Sequence, residues 1–272
     1  MLRTTTTLLA SAFLAVSAHA QPADLTVQPG QSSVSAQLCL TPPGLSTECD
    51  TDSSGLAGTL SIELDDYAAA TAITLHDFVL LFTDPLNYNM DWGFFIGGVD
   101  IQLVDVVVSY ATPGTPTGPV AVDGVGDFEF PLVQALFTGT GSYQGYGPIM
   151  EALVGSGTFN LADFGVVESA LAGNVTVAND QITLAGVQAF SNTGDIDGTE
   201  ASIDGTATIV AIGDVPDQCR ADINGDGEVN TQDFLAYLNL WTAGDAGADF
   251  DGNGTVNTQD FLLFLNEWTA GC

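Results

Sequence analysis

The stretch Asp222–Gly244, DINGDGEVNTQDFLAYLNLWTAG, returns 27 residues later as Asp249–Gly271, DFDGNGTVNTQDFLLFLNEWTAG. Each copy places oxygen-bearing residues at positions 1, 3, 5, 9 and 12 of a loop with glycine at position 6, the spacing that wraps a hard divalent cation in oxygens. In the first loop Asp222, Asn224 and Asp226 offer side-chain oxygens, Glu228 its backbone carbonyl, Asn230 stands at position 9 and Asp233 closes the loop. The second loop uses Asp249, Asp251, Asn253, the carbonyl of Thr255, Asn257 and Asp260. Three carboxylates per loop more than neutralise one doubly charged ion, so empty loops repel themselves and folding is expected to couple to two calcium ions. Gly227 and Gly254 permit the sharp turn, and Val229 and Val256 are placed to pair as a small β-bridge between the loops. After each loop, Phe234, Leu238 and Trp241, then Phe261, Leu265 and Trp268, follow helical spacing and predict two amphipathic helices packed on each other.

Working outward, Pro216–Cys219 and Gly244–Gly247 precede the two loops, and neither is helix material. Loop-then-helix repeats without an entering helix, aspartate at position 12 and a terminal Gly271-Cys272 with Cys219 just before the first loop resemble the type I dockerin over residues 219–272. That resemblance implies an attachment module that plugs into a cohesin, often delivering polysaccharide-degrading enzymes. It assigns partner reading to positions 10 and 11, here Thr231, Gln232, Thr258 and Gln259. Asn239 and Asn266 stand where many such modules carry basic residues. The implied partner is therefore a cohesin-like protein or another surface receptor, with a polysaccharide as a further ligand of the whole.

At the other end, Arg3, the apolar run Leu8–Val16 and Ala18-His19-Ala20 form a short secretory leader over residues 1–20, too short for a membrane span. No later segment is long and apolar enough to cross a bilayer as a helix, so a secreted, extracellular product without membrane insertion is expected. The whole chain has 34 acidic and two basic side chains, a formal charge of −32, and loses Arg3 with the leader. Such a surface repels phosphate and excludes nucleic-acid binding. Export permits disulfides, and position pairs Cys39 with Cys49 and Cys219 with Cys272.

Residues 21–213 read as all-β, an antiparallel sandwich or distorted barrel, joined through a linker at 214–218 to the small all-α module. The clearest strands are Gly58–Leu64, Ala72–Phe82, Val99–Tyr110, Phe128–Phe137, Gly165–Leu171, Asn174–Val177, Gln181–Phe190 and Ala201–Ile212, with one helical turn at Pro148–Val154. Thr112–Pro119, TPGTPTGP, is expected to be an exposed loop because proline lacks the ladder donor. His76 is the one histidine after the leader and lies in a strand-like run beside Asp77, a satisfied structural residue with Asp77 as a local partner or loop-edge acid. The aromatics of Tyr88–Phe95 are expected to pack at a strand edge of the core, with a sugar-stacking or docking surface as the alternative. Carboxylates suited to glycosidase chemistry abound, Glu63, Asp65, Asp91 and Glu168 among them, and abundance singles out no pair, so no catalytic residue is assigned. The leading reading is a calcium-binding anchor carrying a β-domain. Its alternatives are a glycoside hydrolase acting on O-glycosyl bonds and a structural surface-layer or matrix component.

Overall fold

The computed structural model describes residues 21–216, 220–225 and 228–271. The leader, residues 217–218 of the linker, Asp226, Gly227 and the Cys219–Cys272 pair lie outside the described residues. The chain divides into two compact units after Pro216.

The first unit alternates apolar and polar residues along long strands, and alternation at period two lets one face of every strand turn to a common core. Its strands are β1 (Ala23–Val27), β2 (Ser33–Thr41), β3 (Glu48–Leu64), β4 (Ala72–Phe82), β5 (Leu86–Asp91), β6 (Gly98–Tyr110), β7 (Thr117–Ala121), β8 (Asp127–Tyr146), β9 (Ser156–Asn160), β10 (Val166–Ala178), β11 (Gln181–Ile196) and β12 (Thr199–Asp214). All pairings are antiparallel, and the hydrogen-bonded path β3, β2, β12, β11, β10, β8, β6, β4 returns from β4 to β3. Of the two architectures the sequence left open, the first unit is therefore a barrel, and its sheet closes where β3 meets β4.

Several barrel staves are interrupted strands. β1 and β2 both lie between β3 and β12, and the break at residues 28–32 is bridged by buried Ser32. Its hydroxyl accepts from the Val210 amide at 2.9 Å and donates to the Val210 carbonyl at 3.1 Å. β5 continues β4 along β6, but its other edge meets carboxylates instead of carbonyls: the Asn87 and Asn89 amides donate to Asp52 Oδ2 at 2.7 Å and Asp50 Oδ2 at 2.8 Å. β7 continues β6 along β4, which corrects the loop expected over Thr112–Pro119. Residues from Thr117 onward are strand, and Pro119 falls at a bulge between the partners of Ile73 and Leu75, where no ladder donor is demanded. β9 precedes β10 along β8, with a 3-10 turn at Leu161–Phe164 between them.

Inward residues form two apolar clusters along the barrel, one around Leu60, Ile62, Phe130 and Ile209, the other around Leu38, Leu86, Ile101 and Leu103. A single helical turn, α1 (Met150–Leu153), pushes fully buried Met150 into the second cluster. Many outward positions are polar, as with Ser33, Ser35 and Gln37 on β2, Asp100 and Gln102 on β6, and Ser142 and Gln144 on β8, while Val79, Leu81, Leu132, Val166 and Val187 are exposed apolar residues on the same wall. Cys39 and Cys49 sit directly opposite each other on β2 and β3 and are bonded.

Two local expectations change. His76 Nε2 lies 2.8 Å from Glu63 Oε2 on the neighbouring strand, while Asp77 accepts the amide of Phe78, so the partner of the imidazole is Glu63. Within Tyr88–Phe95, Tyr88 is buried and the half-exposed Trp92 indole donates to the Ser46 carbonyl at 2.7 Å, but Phe94 and Phe95 are 90% and 82% exposed. These two rings occupy the tip of the β5–β6 hairpin, beyond the reach of the core.

Candidate metal centre

The second unit holds two 13-residue helices, α2 (Thr231–Ala243) and α3 (Thr258–Ala270), each starting at the end of one acidic loop. The start is written into the loop itself. Asn230 and Asn257 act as N-caps, accepting the amides of Gln232 and Gln259 at 2.8 Å, while Asp233 and Asp260 reach back to the amides of Asn230 at 2.9 Å and Asn257 at 2.7 Å. Position 12 of the loop is thus also the third helical residue of a capping box, which ties helix nucleation to loop closure. Asp233 and Asp260 are fully buried.

In the second loop the carboxylate oxygens of Asp249, Asp251 and Asp260 lie within 4.8 Å of one another. Calcium binds oxygen at about 2.3–2.6 Å, so ligand oxygens around one ion stand at most roughly twice that distance apart, and the triad fits. Backbone amides hold it open: Gly254 N donates to Asp249 Oδ2 at 2.6 Å, Asn253 N to Asp251 Oδ1 at 3.0 Å, and Asp251 N to Asp260 Oδ1 at 3.1 Å. The Asn257 side-chain amide fixes the Thr255 carbonyl at 3.0 Å, and Asn253 Oδ1 takes the Thr255 amide at 2.9 Å. The first loop repeats much of this. Asn224 N donates to Asp233 Oδ1 at 3.1 Å, Gly225 N to Asp222 Oδ1 at 2.8 Å, and Asn230 Nδ2 to the Glu228 carbonyl at 3.1 Å. The Asn257 amide chiefly, with those of Asp251 and Phe250 acting against the upward pull of burial, holds the Asp260 carboxyl below its ordinary value. It is a carboxylate at neutral pH, as a calcium ligand must be.

The two repeats brace each other through their aromatic residues. Tyr237 and Phe264, at equivalent positions of α2 and α3, stack with centroids 3.9 Å apart and planes 6° from parallel. The Trp241 indole donates to the Asn257 carbonyl and the Trp268 indole to the Asn230 carbonyl, both at 2.8 Å, so each helix fastens position 9 of the other loop. These bonds stand where a Val229–Val256 bridge was expected. No such bridge forms among the described residues, and both valines pack on the aromatic core instead. The stripe also shifts by one residue: Tyr237 and Phe264 are fully buried at its centre, while Leu238 and Leu265 are half-buried to one side. The Tyr237 hydroxyl donates to the Ala248 carbonyl at 3.1 Å, and burial first, then the charge of Asp260, push its pKa up to about 12. Arg220 lies 4.0 Å from the Phe250 ring centroid and donates to the Phe250 carbonyl. The tryptophan bonds and the arginine clamp escaped sequence reading, although the 27-residue offset pairs Phe234 with Phe261, Tyr237 with Phe264 and Trp241 with Trp268.

The family model described as the dockerin type I domain matches residues 220–267. The chain carries a dockerin type I domain. Thr231, Gln232, Thr258 and Gln259 all lie exposed on the first turns of the dockerin helices, with Leu235 and Leu262 exposed one turn further on. No curated protein matches the chain. Among solved structures, Ail, the attachment invasion locus protein of Yersinia pestis, is similar at 8% identity and a TM-score of 0.32, covering 70% of this chain and 98% of Ail. Its complex with the heparin analogue sucrose octasulfate gives 9% identity, a TM-score of 0.30 and the same coverage. A likeness that low bears on nothing beyond itself. In the barrel, four of the carboxylates that composition offered for catalysis have local partners. Glu63 is paired to His76, Asp65 caps the turn at Thr71 and Ala72, Asp91 accepts Gly93 N, and Glu168 accepts Gln134 Nε2.

Proposed function

We propose that the dockerin domain takes two calcium ions and, so ordered, anchors an exported β-barrel to a cohesin-like receptor on a cell surface or in an extracellular assembly. The observation that carries the reading is the convergence of Asp249, Asp251 and Asp260 at the mouth of a helix that one of them also caps. Asp249, Asp251, Asn253, the Thr255 carbonyl, Asn257 and Asp260 would hold one ion, and Asp222, Asn224, Asp226, the Glu228 carbonyl, Asn230 and Asp233 the other. Bound calcium supplies the charge that offsets three clustered carboxylates; the chain's own amides set their positions. Thr231 with Gln232 and Thr258 with Gln259 would present equivalent faces to the receptor.

Export rests on the leader over residues 1–20, and no helix of the described residues is long and apolar enough to cross a membrane. The barrel's inward face is apolar and many of its outward positions are polar, with Val79, Leu81, Leu132, Val166 and Val187 exposed among them. With no lysine or arginine in residues 21–216, the barrel offers nucleic acid no lysine or arginine contact to phosphate. The barrel is the cargo and the dockerin domain its address.

Calorimetric titration of the full chain should show two calcium sites, with Asp222→Ala and Asp249→Ala each abolishing or weakening one at least tenfold. Immobilised chain should then retain a receptor from the native exoproteome in calcium and release it in EDTA, with retention lost in the Gln232→Ala, Gln259→Ala double variant. Unchanged calcium affinity in both aspartate variants sinks the ligand assignment, and retention indifferent to EDTA sinks calcium-dependent docking.

A further inference from the structure

The barrel wall has a gap beside an apolar cavity. The ladder between β10 and β11 begins at Leu171–Gln188 and runs away from Ile196, so residues 189–196 of β11 pair on that side with no strand. The neighbour there is the 3-10 strap Leu161–Phe164, held by the Asn192 side-chain amide on the Phe164 carbonyl at 3.2 Å. The Phe164 ring rests on Gly194, where even a methyl group would come within 2.2 Å of it. Behind this strap lies a cavity of about 70 Å³ whose walls include Leu38, Leu86, Leu103, Phe137 and Ile196, with Ala36 and Ala201 leaving the space.

Water is a poor occupant. One molecule needs roughly 10–15 Å³ and two to four polar partners, so the volume suffices but the walls do not. The polar lining is Asn192, Thr193 and Ser202, and Asn192 is already engaged by the strap. Size limits the alternative too, because a cavity of about 150 Å³ is what admits benzene. Charge limits it further. Residues 21–216 contain no lysine or arginine, Asp163 lies in the strap and Asp195 follows Gly194, both exposed. A carboxylate or phosphate head would meet repulsion at the entrance and no cation anywhere on the barrel.

We propose that the barrel binds one uncharged apolar group, a short alkyl chain or the end of a longer one, in this cavity, admitted by displacement of the Leu161–Phe164 strap from β11. Eight-stave barrels of this width either fill with side chains or hold one small ligand, and here the two alanines leave the filling incomplete.

The test is methyl NMR on the full chain in calcium, titrated with 1-butanol and 1-hexanol and, separately, with butanoate and hexanoate. The alkanols should give saturable shifts at the methyls of Leu38, Leu86, Leu103 and Ile196, lost in Ala36→Leu and in Ala201→Leu. Either variant suffices, and dispersion of the same spectrum reports whether it has folded. Gly194→Ala, which evicts the Phe164 ring from its seat, should raise the ligand exchange rate. Shifts that do not saturate, that spread over the whole barrel, or that persist in a folded cavity-filled variant overturn the site. Alkanoates binding as tightly as alkanols overturn the uncharged class, and exchange unaltered in Gly194→Ala overturns the route.

Discussion

Trp268→Phe separates a cross-braced pair of repeats from two helices that merely pack. The Trp268 indole donates to the carbonyl of Asn230, which is position 9 of the first loop and the N-cap of α2, and its ring lies 5.5 Å from that of Phe234. Phenylalanine keeps most of the ring contact and removes the donor. A net hydrogen bond contributes about 0.5–1.5 kcal/mol, and a half-buried carbonyl that water can partly reach places the loss near 1 kcal/mol, or roughly fivefold in affinity. The expectation is crossed: a change in the helix after the second loop weakens the first. Calorimetry in the Asp249→Ala background, where only the first loop binds, should show calcium affinity falling about fivefold with Trp268→Phe. The same substitution in the Asp222→Ala background should change nothing. Trp241→Phe, whose indole holds the Asn257 carbonyl at 2.8 Å, should do the reverse. If each substitution instead weakens the loop preceding its own helix, or neither moves affinity in either background, the brace does not couple the sites.

Arg220→Met should destabilise the dockerin domain by about 1–2 kcal/mol in urea with calcium present, through loss of the contact over the Phe250 ring and the bond to the Phe250 carbonyl. The half-exposed pair with Glu267 at 3.7 Å adds little, so a loss that disappears in high salt would contradict this weighting. Gly97→Ala should cost the barrel about 3 kcal/mol or more, because at φ +94° its Cβ would lie 1.9 Å from the Tyr146 carbonyl oxygen. Gly93→Ala, at φ +92° with open space around it, should cost only about 1–2 kcal/mol; equal melting shifts for the two would remove the steric argument. Burial raises Tyr67 and Tyr237 to about 12 from 10.0, with Glu63 and Asp260 respectively adding to it, and pushes Tyr88 up too, next to Asp52 and Asp50. Raised folded values mean that the native state holds these protons more tightly, so their contribution is complete below pH 10 and is lost as pH rises through about 12. A tyrosinate absorbance titration should show these ionising together with loss of circular dichroism. Ordinary titration of all six tyrosines near pH 10 in a protein that stays folded would refute it.

The acid loops were readable because a repeat states its own register: two copies of one spacing leave few assignments for twelve oxygen donors. The helical stripe was readable only to within a residue, since Phe234, Tyr237 and Trp241 satisfy helical spacing as well as Phe234, Leu238 and Trp241 do. What decides between them is the partner helix, where Phe264 stacks on Tyr237, and a single helix carries no record of that. The barrel follows the same rule on a larger scale. Alternation revealed most of β4, β6, β11 and β12, half of β8, and β10 as two pieces, but closure depends on β1 and β2 meeting β12 from the far end of the chain, as in Thr26 opposite Ile212, and on β3 turning to meet β4. No local pattern encodes such a meeting. The interruptions were the least legible part, because each is patched by a group that looks unremarkable in sequence: Ser32 supplying a hydroxyl to Val210, and Asp50 and Asp52 lending carboxylates to the edge of β5. Hydropathy misplaced Phe94 and Phe95 for a related reason. Their apolar character is local, whereas the hairpin that carries them past the end of the core is set by the pairing of β5 with β6, from Leu86 opposite Leu103 to Asp91 opposite Gly98. Sequence thus resolves chemistry and period within an element, and becomes silent where an element's neighbour, not its own composition, determines which face is covered.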